Sequence, residues 1–166
     1  MVTPDNPLTQ PPELILTYRN FGNLDRWGGD LAFDILMTDR VSLNGGYSFV
    51  NKNFFPRSEV GGVSDVALNA PKAKATLGVA YREQPTGITV DVRGRWNDDF
   101  PMNSGVFVGT VKSYTVVDAS VAYRFPFAQN TIVALNVQNL LNDKHREFVG
   151  APELGTLAIA QVQVAF

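Results

Sequence analysis

The sequence predicts an all-β fold: a transmembrane antiparallel β-barrel of eight strands, either a small closed barrel or the last strands of a larger one. Three observations predict it. Eight segments alternate apolar with polar or small residues, the connections between them alternate short and long, and the aromatic residues sort into two bands near the strand ends.

Taken in order, the first strand sets Leu14, Leu16 and Tyr18 against Thr17 and Arg19, and the second sets Leu31, Phe33 and Ile35 against Asp30 and Asp34. The third places Leu43, Gly45, Tyr47 and Phe49 opposite Ser42, Asn44 and Ser48. The fourth runs Ala73, Ala75, Leu77, Val79 and Tyr81 against Lys72, Lys74, Thr76 and Arg82. The fifth has the sharpest contrast, with Ile88, Val90, Val92, Gly94 and Trp96 on one face and Thr89, Asp91, Arg93, Arg95 and Asn97 on the other. The sixth opposes Val117, Ala119, Val121, Tyr123 and Phe125 to Asp118, Ser120, Ala122 and Arg124. The seventh opposes Val133, Leu135 and Val137 to Asn136 and Gln138, and the eighth opposes Ala158, Ala160, Val162, Val164 and Phe166 to Gln161 and Gln163. Each segment is about as long as the 9–11 residues of a tilted membrane strand, and no charge falls on any apolar face. Residues 1–12 read as an N-terminal extension and 13–166 as the β-barrel region.

Alternation alone also fits a soluble sandwich or a lipocalin-like barrel, in which the apolar face is the core. Connection lengths and aromatics argue for lipid. The links Thr38 to Arg40, Glu83 to Thr86 and Pro126 to Gln129 are short, whereas Asn51 to Pro71, Asp98 to Lys112 and Leu140 to Gly155 are long. Outer-membrane barrels show this asymmetry, with short turns on the periplasmic side. Only the link Gly22 to Arg26 is short where a long loop belongs. On that orientation Tyr81, Tyr123, Phe125 and Phe166 lie at the short-turn rim, and Tyr18, Trp27, Tyr47, Phe49 and Trp96 at the other.

Composition agrees and excludes several functions. The chain has 166 residues, enough for one ordinary domain, a net charge of -2, no Cys and 18% charged residues, with 11 Phe, 5 Tyr and 2 Trp. Without a Lys/Arg cluster there is no electrostatic footprint for nucleic acid. Without Cys there is no disulfide frame, no Cys-based zinc site and no thiol nucleophile. No run of about 18 apolar residues is present to make a membrane-spanning helix. Met1 to Asp5 lack the basic start and apolar stretch of a secretory signal, which leaves either a piece of an exported protein or a protein that is not exported.

Catalytic chemistry is poorly represented, and no enzyme, cofactor or metal is expected. The one His, His145, reads as a loop or interface imidazole. The acid pairs Asp98 with Asp99, Glu59 with Asp65 and Asp143 with Glu147 read as solvated loop carboxylates, and Gly28-Gly29 and Gly61-Gly62 as loop and strand-entry punctuation. The charges opposite the apolar faces are the candidate functional residues: Asp30, Asp34, Lys74, Asp91, Arg93, Arg95, Asp118 and Arg124 would face the lumen. No ligand-binding residue can be assigned among them.

Several segments resemble the C-terminal barrel strands of TonB-dependent outer-membrane receptors. Asn139 to Glu147 (NLLNDKHRE) is similar to the family's asparagine-leucine-aromatic-(Asn/Asp)-Lys-x-Tyr-Arg-Glu box before the last strand, with Leu141 at the aromatic position and His145 at the Tyr position. Tyr114 to Phe125 (YTVVDASVAYRF) resembles the third-from-last strand, and Asn69-Ala70-Pro71-Lys72 with Leu77 to Arg82 resembles a strand entry and its Tyr-Arg end. Tyr18-Arg19-Asn20, Gly28 to Asp30 and Tyr47 to Phe49 fit the preceding hairpin, and Thr156 stands where an Arg often follows the Gly.

The resemblance implies a bacterial outer-membrane protein that helps take up a scarce nutrient such as an iron-siderophore complex. Such receptors need about 22 strands and an N-terminal plug, so eight strands would not import anything alone. Val162, Val164 and the terminal Phe166 resemble the signal that such barrels present to the barrel-assembly machinery. The implied partners are the lipid bilayer, that machinery, the remaining receptor strands and a plug domain, and not nucleic acid. The alternative is a stand-alone or truncated eight-stranded barrel with a structural or adhesive role.

Overall fold

The computed structural model describes residues 23–61, 64–128 and 131–165. The first predicted strand, Leu14 to Arg19, the extension over 1–12 and Phe166 lie outside the described residues.

The described chain is all-β apart from one helical turn. Seven strands form one antiparallel sheet: β1 (Gly28–Leu36), β2 (Val41–Val50), β5 (Ala73–Glu83), β6 (Ile88–Asn97), β9 (Tyr114–Arg124), β10 (Thr131–Gln138) and β11 (Leu157–Val164). They pair in the order β1-β2-β5-β6-β9-β10-β11, each with its sequence neighbour in the sheet, as expected when short turns and longer loops alternate along an up-and-down wall. Among the described residues the sheet is open, with β1 and β11 at its edges. The seven strands correspond to the second to eighth predicted ones.

The register carries one phase across the whole sheet. Leu31 lies opposite Tyr47, Tyr47 opposite Ala75, and Ala75 opposite Trp96. A second row runs Leu43, Val79, Val92, Ala119, Val137 and Ala158. Directly opposed residues share a face, so the apolar sets inferred strand by strand merge into one continuous apolar surface. Leu31, Leu77, Val92, Leu135 and Val162 on that surface are all exposed. A soluble chain would bury so large an apolar patch.

Aromatics cluster at opposite ends of this surface. Trp27 meets Phe49 edge-on at 5.6 Å and Tyr47 stacks on Phe49 at 6.2 Å, while Tyr123 packs on Phe125 at 5.0 Å at the other end. The rows holding Phe49 and Tyr81 cross β5 at Ala73 and Tyr81, separated by about 27 Å of extended chain. Tilted, that length suits an apolar band about 25 Å tall.

The three short turns lie at one end. In the first, the Thr38 hydroxyl accepts the Val41 N–H at 3.0 Å. In the second, Gly87 has φ 71, and a Cβ there would meet the Arg124 carbonyl oxygen at 2.6 Å, so only glycine closes this turn without strain.

Two of the long connections hold more structure than the sequence suggests. The segment 51–71, read as a loop, contains β3 (Phe54–Phe55), the four-residue helix α1 (Arg57–Val60) and β4 (Val66–Ala67), with Phe55 fully buried. The segment 98–112 is a hairpin of β7 (Phe100–Ser104) and β8 (Phe107–Val111). Phe100, Met102 and Val111 form a small core there against Tyr114 and Val149, so the compact hydrophobic core sits at the long-loop end and not between sheets.

Candidate functional site

The face opposite the apolar surface carries all eight charged residues singled out by the alternation. Asp30 is opposite Ser48, which is opposite Lys74; Asp34 is opposite Asn44; Asp91 is opposite Ser120; and Arg93 is opposite Asp118. Arg95 lies opposite Thr76 and Val116, and Arg124 opposite Ile132 at the short-turn end.

Their ion pairs run diagonally. Asp118 is directly across from Arg93, yet its Oδ2 accepts a hydrogen bond from Arg95 Nη2 at 3.0 Å. Asp91 likewise pairs with Arg82 of β5 at 3.3 Å, two residues along from its opposed residue Ala80. Long side chains lean along the strand, so the diagonal neighbour is within reach. Arg82 is thus a further member of the charged face. The Arg82–Asp91 pair is largely exposed and adds little stability. Its consequence is a patterned polar wall.

A cavity of about 330 Å³ lies on this wall, with Asn44, Asp91, Arg93, Asp118, Ser120 and Asn136 among its lining residues. A second, about 300 Å³, brings Asp34, Asn44, Thr76, Arg93 and Arg95 together. Asp30 and Lys74 share the face but line neither cavity, two strands apart at about 10 Å. Arg124 lines a separate space with Arg82 and Glu83, where Arg40 bonds Glu83 at 2.5 Å. No group of three or more His, Cys, Asp or Glu that could hold a metal is present among the described residues.

At the long-loop end the wall is tied to the segment that follows β10. Asn139 and Asn142 adopt φ 52 and φ 53, left-handed conformations that asparagine tolerates better than most residues, and they turn the chain sharply off the strand. Asn139 donates its backbone N–H to Asp118 Oδ1 at 3.0 Å. Its side-chain amide then closes a reciprocal pair, donating to the Asp143 carbonyl and accepting the Asp143 N–H, both at 3.0 Å. Asp143 Oδ2 accepts the Thr115 N–H at 3.0 Å, and the Thr156 hydroxyl donates to the Asn139 carbonyl at 2.7 Å. His145 is buried, stacks on Tyr114 at 4.3 Å between centroids and donates Nδ1–H to the Asp143 carbonyl at 2.7 Å. One carboxylate, Asp118, therefore joins the charged wall to the loop, because Arg95 holds its other oxygen.

This knot gives Asn139, Asp143 and His145 a structural part in holding the loop after β10 against β9. Sequence reading placed the box before the last strand but did not foresee its anchor, Asp118, or the partner Thr156. Val162 and Val164 lie on the apolar face of the edge strand β11, opposite Val133 and Thr131.

Comparison with known proteins gives a consistent result. A family model described as TonB dependent receptor-like, beta-barrel matches residues 2–140. No curated protein matches the sequence. Among solved structures, the siderophore receptor PiuA from Acinetobacter baumannii is similar with a TM-score of 0.64 and 23% identity, over 84% of this chain and 21% of that one. The open form of the ferric-catecholate import receptor Fiu from E. coli K12 has a TM-score of 0.61 and 19% identity, over 84% and 20%. The FrpB iron transporter from Neisseria meningitidis has a TM-score of 0.60 and 16% identity, over 84% and 23%. The chain spans about a fifth of the length of the structures it matches.

Proposed function

Because the chain belongs to the TonB-dependent receptor-like β-barrel family, one of transporters rather than enzymes, we propose that it forms part of the transmembrane wall of a nutrient receptor in the bacterial outer membrane. On this reading residues 13–166 are barrel, the receptor takes up a scarce nutrient such as an iron-siderophore complex, and the chain is not import-competent alone.

The observation that carries the reading is the single phase across seven strands, an uninterrupted apolar surface backed by a charged one. Lipid accepts the first, and a water-filled or plug-filled lumen accepts the second. Family barrels sit in the outer-membrane bilayer and pair with plug domains. The eight charges Asp30, Asp34, Lys74, Asp91, Arg93, Arg95, Asp118 and Arg124 then face the lumen, where they contact the plug or line the substrate path. Unpaired strand edges are not tolerated in hydrocarbon, so β1 and β11 pair with further strands. What favours a segment of a larger barrel over a stand-alone eight-stranded one is that the chain spans only about a fifth of the similar receptor structures. Val162, Val164 and Phe166 serve as the signal for the barrel-assembly machinery. The receptor names of the similar structures support iron-siderophore uptake as the transported class.

The test is uptake by cells. A strain lacking the full-length gene should lose uptake of a labelled ferric siderophore in iron-poor medium. The intact gene should restore it, and a gene lacking residues 28–164 should not. Uptake that is unchanged by that deletion contradicts the proposal.

A further inference from the structure

Asp118 makes two bonds that join different parts of the molecule. Its Oδ2 accepts from Arg95 Nη2 on the charged face, and its Oδ1 accepts the Asn139 N–H at the start of the loop after β10, both at 3.0 Å. Yet Arg95 is not the cation across from it. The register sets Asp118 opposite Arg93, and Arg93 has no ion-pair partner among the described residues. Directly opposed side chains on one face stand about 4.5–5.5 Å apart at Cβ, closer than the diagonal pair that forms here. Asp118 therefore has two guanidinium groups within reach and is bonded to one of them.

The two partners differ in what else they allow. Arg95 lies two residues beyond Arg93 towards the long-loop end of β6, the end at which Asn139 leaves β10. A carboxylate bonded to Arg95 leans that way and meets the Asn139 N–H with its other oxygen. Drawn back to Arg93, it leaves that N–H without an acceptor. Asn139 is buried, so the loss loosens the turn. The neighbouring Leu140 N–H keeps its own acceptor, the Val117 carbonyl at 2.7 Å. The Arg95 and Asp118 side chains are 42% and 27% exposed, so a second anion can compete for Arg95 from the polar side. We infer that Asp118 is a two-position switch: bonded to Arg95 it holds the loop after β10, and when an anionic group in the lumen takes Arg95 it moves to Arg93 and frees Asn139. The contents of the lumen thereby set the order of the loop, because each state makes a contact that the other lacks. The inference rests on the transport reading only in placing this face in a lumen.

The experiment uses the full-length protein in lipid vesicles and follows hydrogen–deuterium exchange at single backbone amides by mass spectrometry. Arg95→Gln imitates the loss of Arg95 to an anion. It should speed exchange of the Asn139 N–H at least about tenfold, the order expected for losing a hydrogen bond to a charged group, while Leu140 changes by less than about twofold. Adding Arg93→Gln removes the second position, so the double variant should return to within about threefold of the parent. If Arg95 merely held the wall together, its loss would loosen Asn139 and Leu140 alike, and the double variant would be looser still. Either result overturns the inference, as does an unchanged Asn139 in Arg95→Gln. Arg93→Gln alone should exchange at Asn139 no faster than the parent, which keeps the inference testable if Arg95→Gln does not fold; faster exchange there overturns it. Ferric-siderophore uptake that survives deletion of residues 28–164, with this exchange pattern intact, would remove the transport reading and leave the switch standing.

Discussion

Replacing Asn139 with leucine is expected to destabilise the folded barrel by about 2–5 kcal/mol. Asn139 holds φ 52, where a branched side chain is strained by roughly 1–2 kcal/mol. Leucine also removes both amide hydrogen bonds to Asp143, leaving the Asp143 N–H short of its acceptor at about 1–3 kcal/mol, while the Asp143 carbonyl keeps His145 Nδ1–H as its donor. Asn139→Gly separates the two effects, since it restores the backbone freedom and not the bonds. It should recover about 1–2 kcal/mol of the loss. Urea titration of the full-length protein in lipid vesicles, followed by the gel mobility of the folded form, reads both variants. A leucine variant as stable as the parent would show that the knot does not hold the loop.

Arginine at Val92 is expected to cost about 2–4 kcal/mol in the same assay, the depth-dependent penalty for a charge at the bilayer midplane. Val92 sits between Val79 and Ala119 in the middle of the apolar face. Arginine at Ile88, in the aromatic rim row with Tyr123, should cost only about 0–1 kcal/mol. Arginine at Ser120, on the polar face opposite Asp91, should be near neutral. The gradient from Val92 to Ile88 is what lipid predicts. A packed protein core would penalise both positions heavily.

The strands were legible because their charges settle the phase. In β6, Asp91, Arg93 and Arg95 leave one side for the apolar residues, charges do the same in β1, β5 and β9, and in the charge-free β2, β10 and β11 it is Ser, Asn or Gln that marks the polar side. The hairpin β7–β8 was not legible, because Phe100 and Met102 are only two apolar residues in phase and Pro101 interrupts them. Its core depends on Val149, 47 residues from Met102. The candidate charges share one face of the sheet, as their alternation implies, but their pairing was not readable. Asp118 bonds Arg95 rather than the opposed Arg93, a choice made by side-chain lean and by Asn139 taking the other oxygen. The box at Asn139 to Glu147 was visible as a pattern. Its physical reason, an asparagine turned left-handed onto an aspartate 21 residues earlier, is a tertiary fact.

The central claim is that the apolar face meets lipid and the charged face meets water. The chain has no Cys, so a single nitroxide can be attached at an introduced cysteine at each position of β6, from Ile88 to Asn97, in the full-length protein in vesicles with any other cysteines replaced. Collision with oxygen, which concentrates in hydrocarbon, should peak at Val90, Val92 and Gly94, and collision with a water-soluble nickel chelate at Asp91, Arg93 and Arg95. Labels at Val90 and Val92 that are shielded from both reagents, or open to the chelate, would contradict the account.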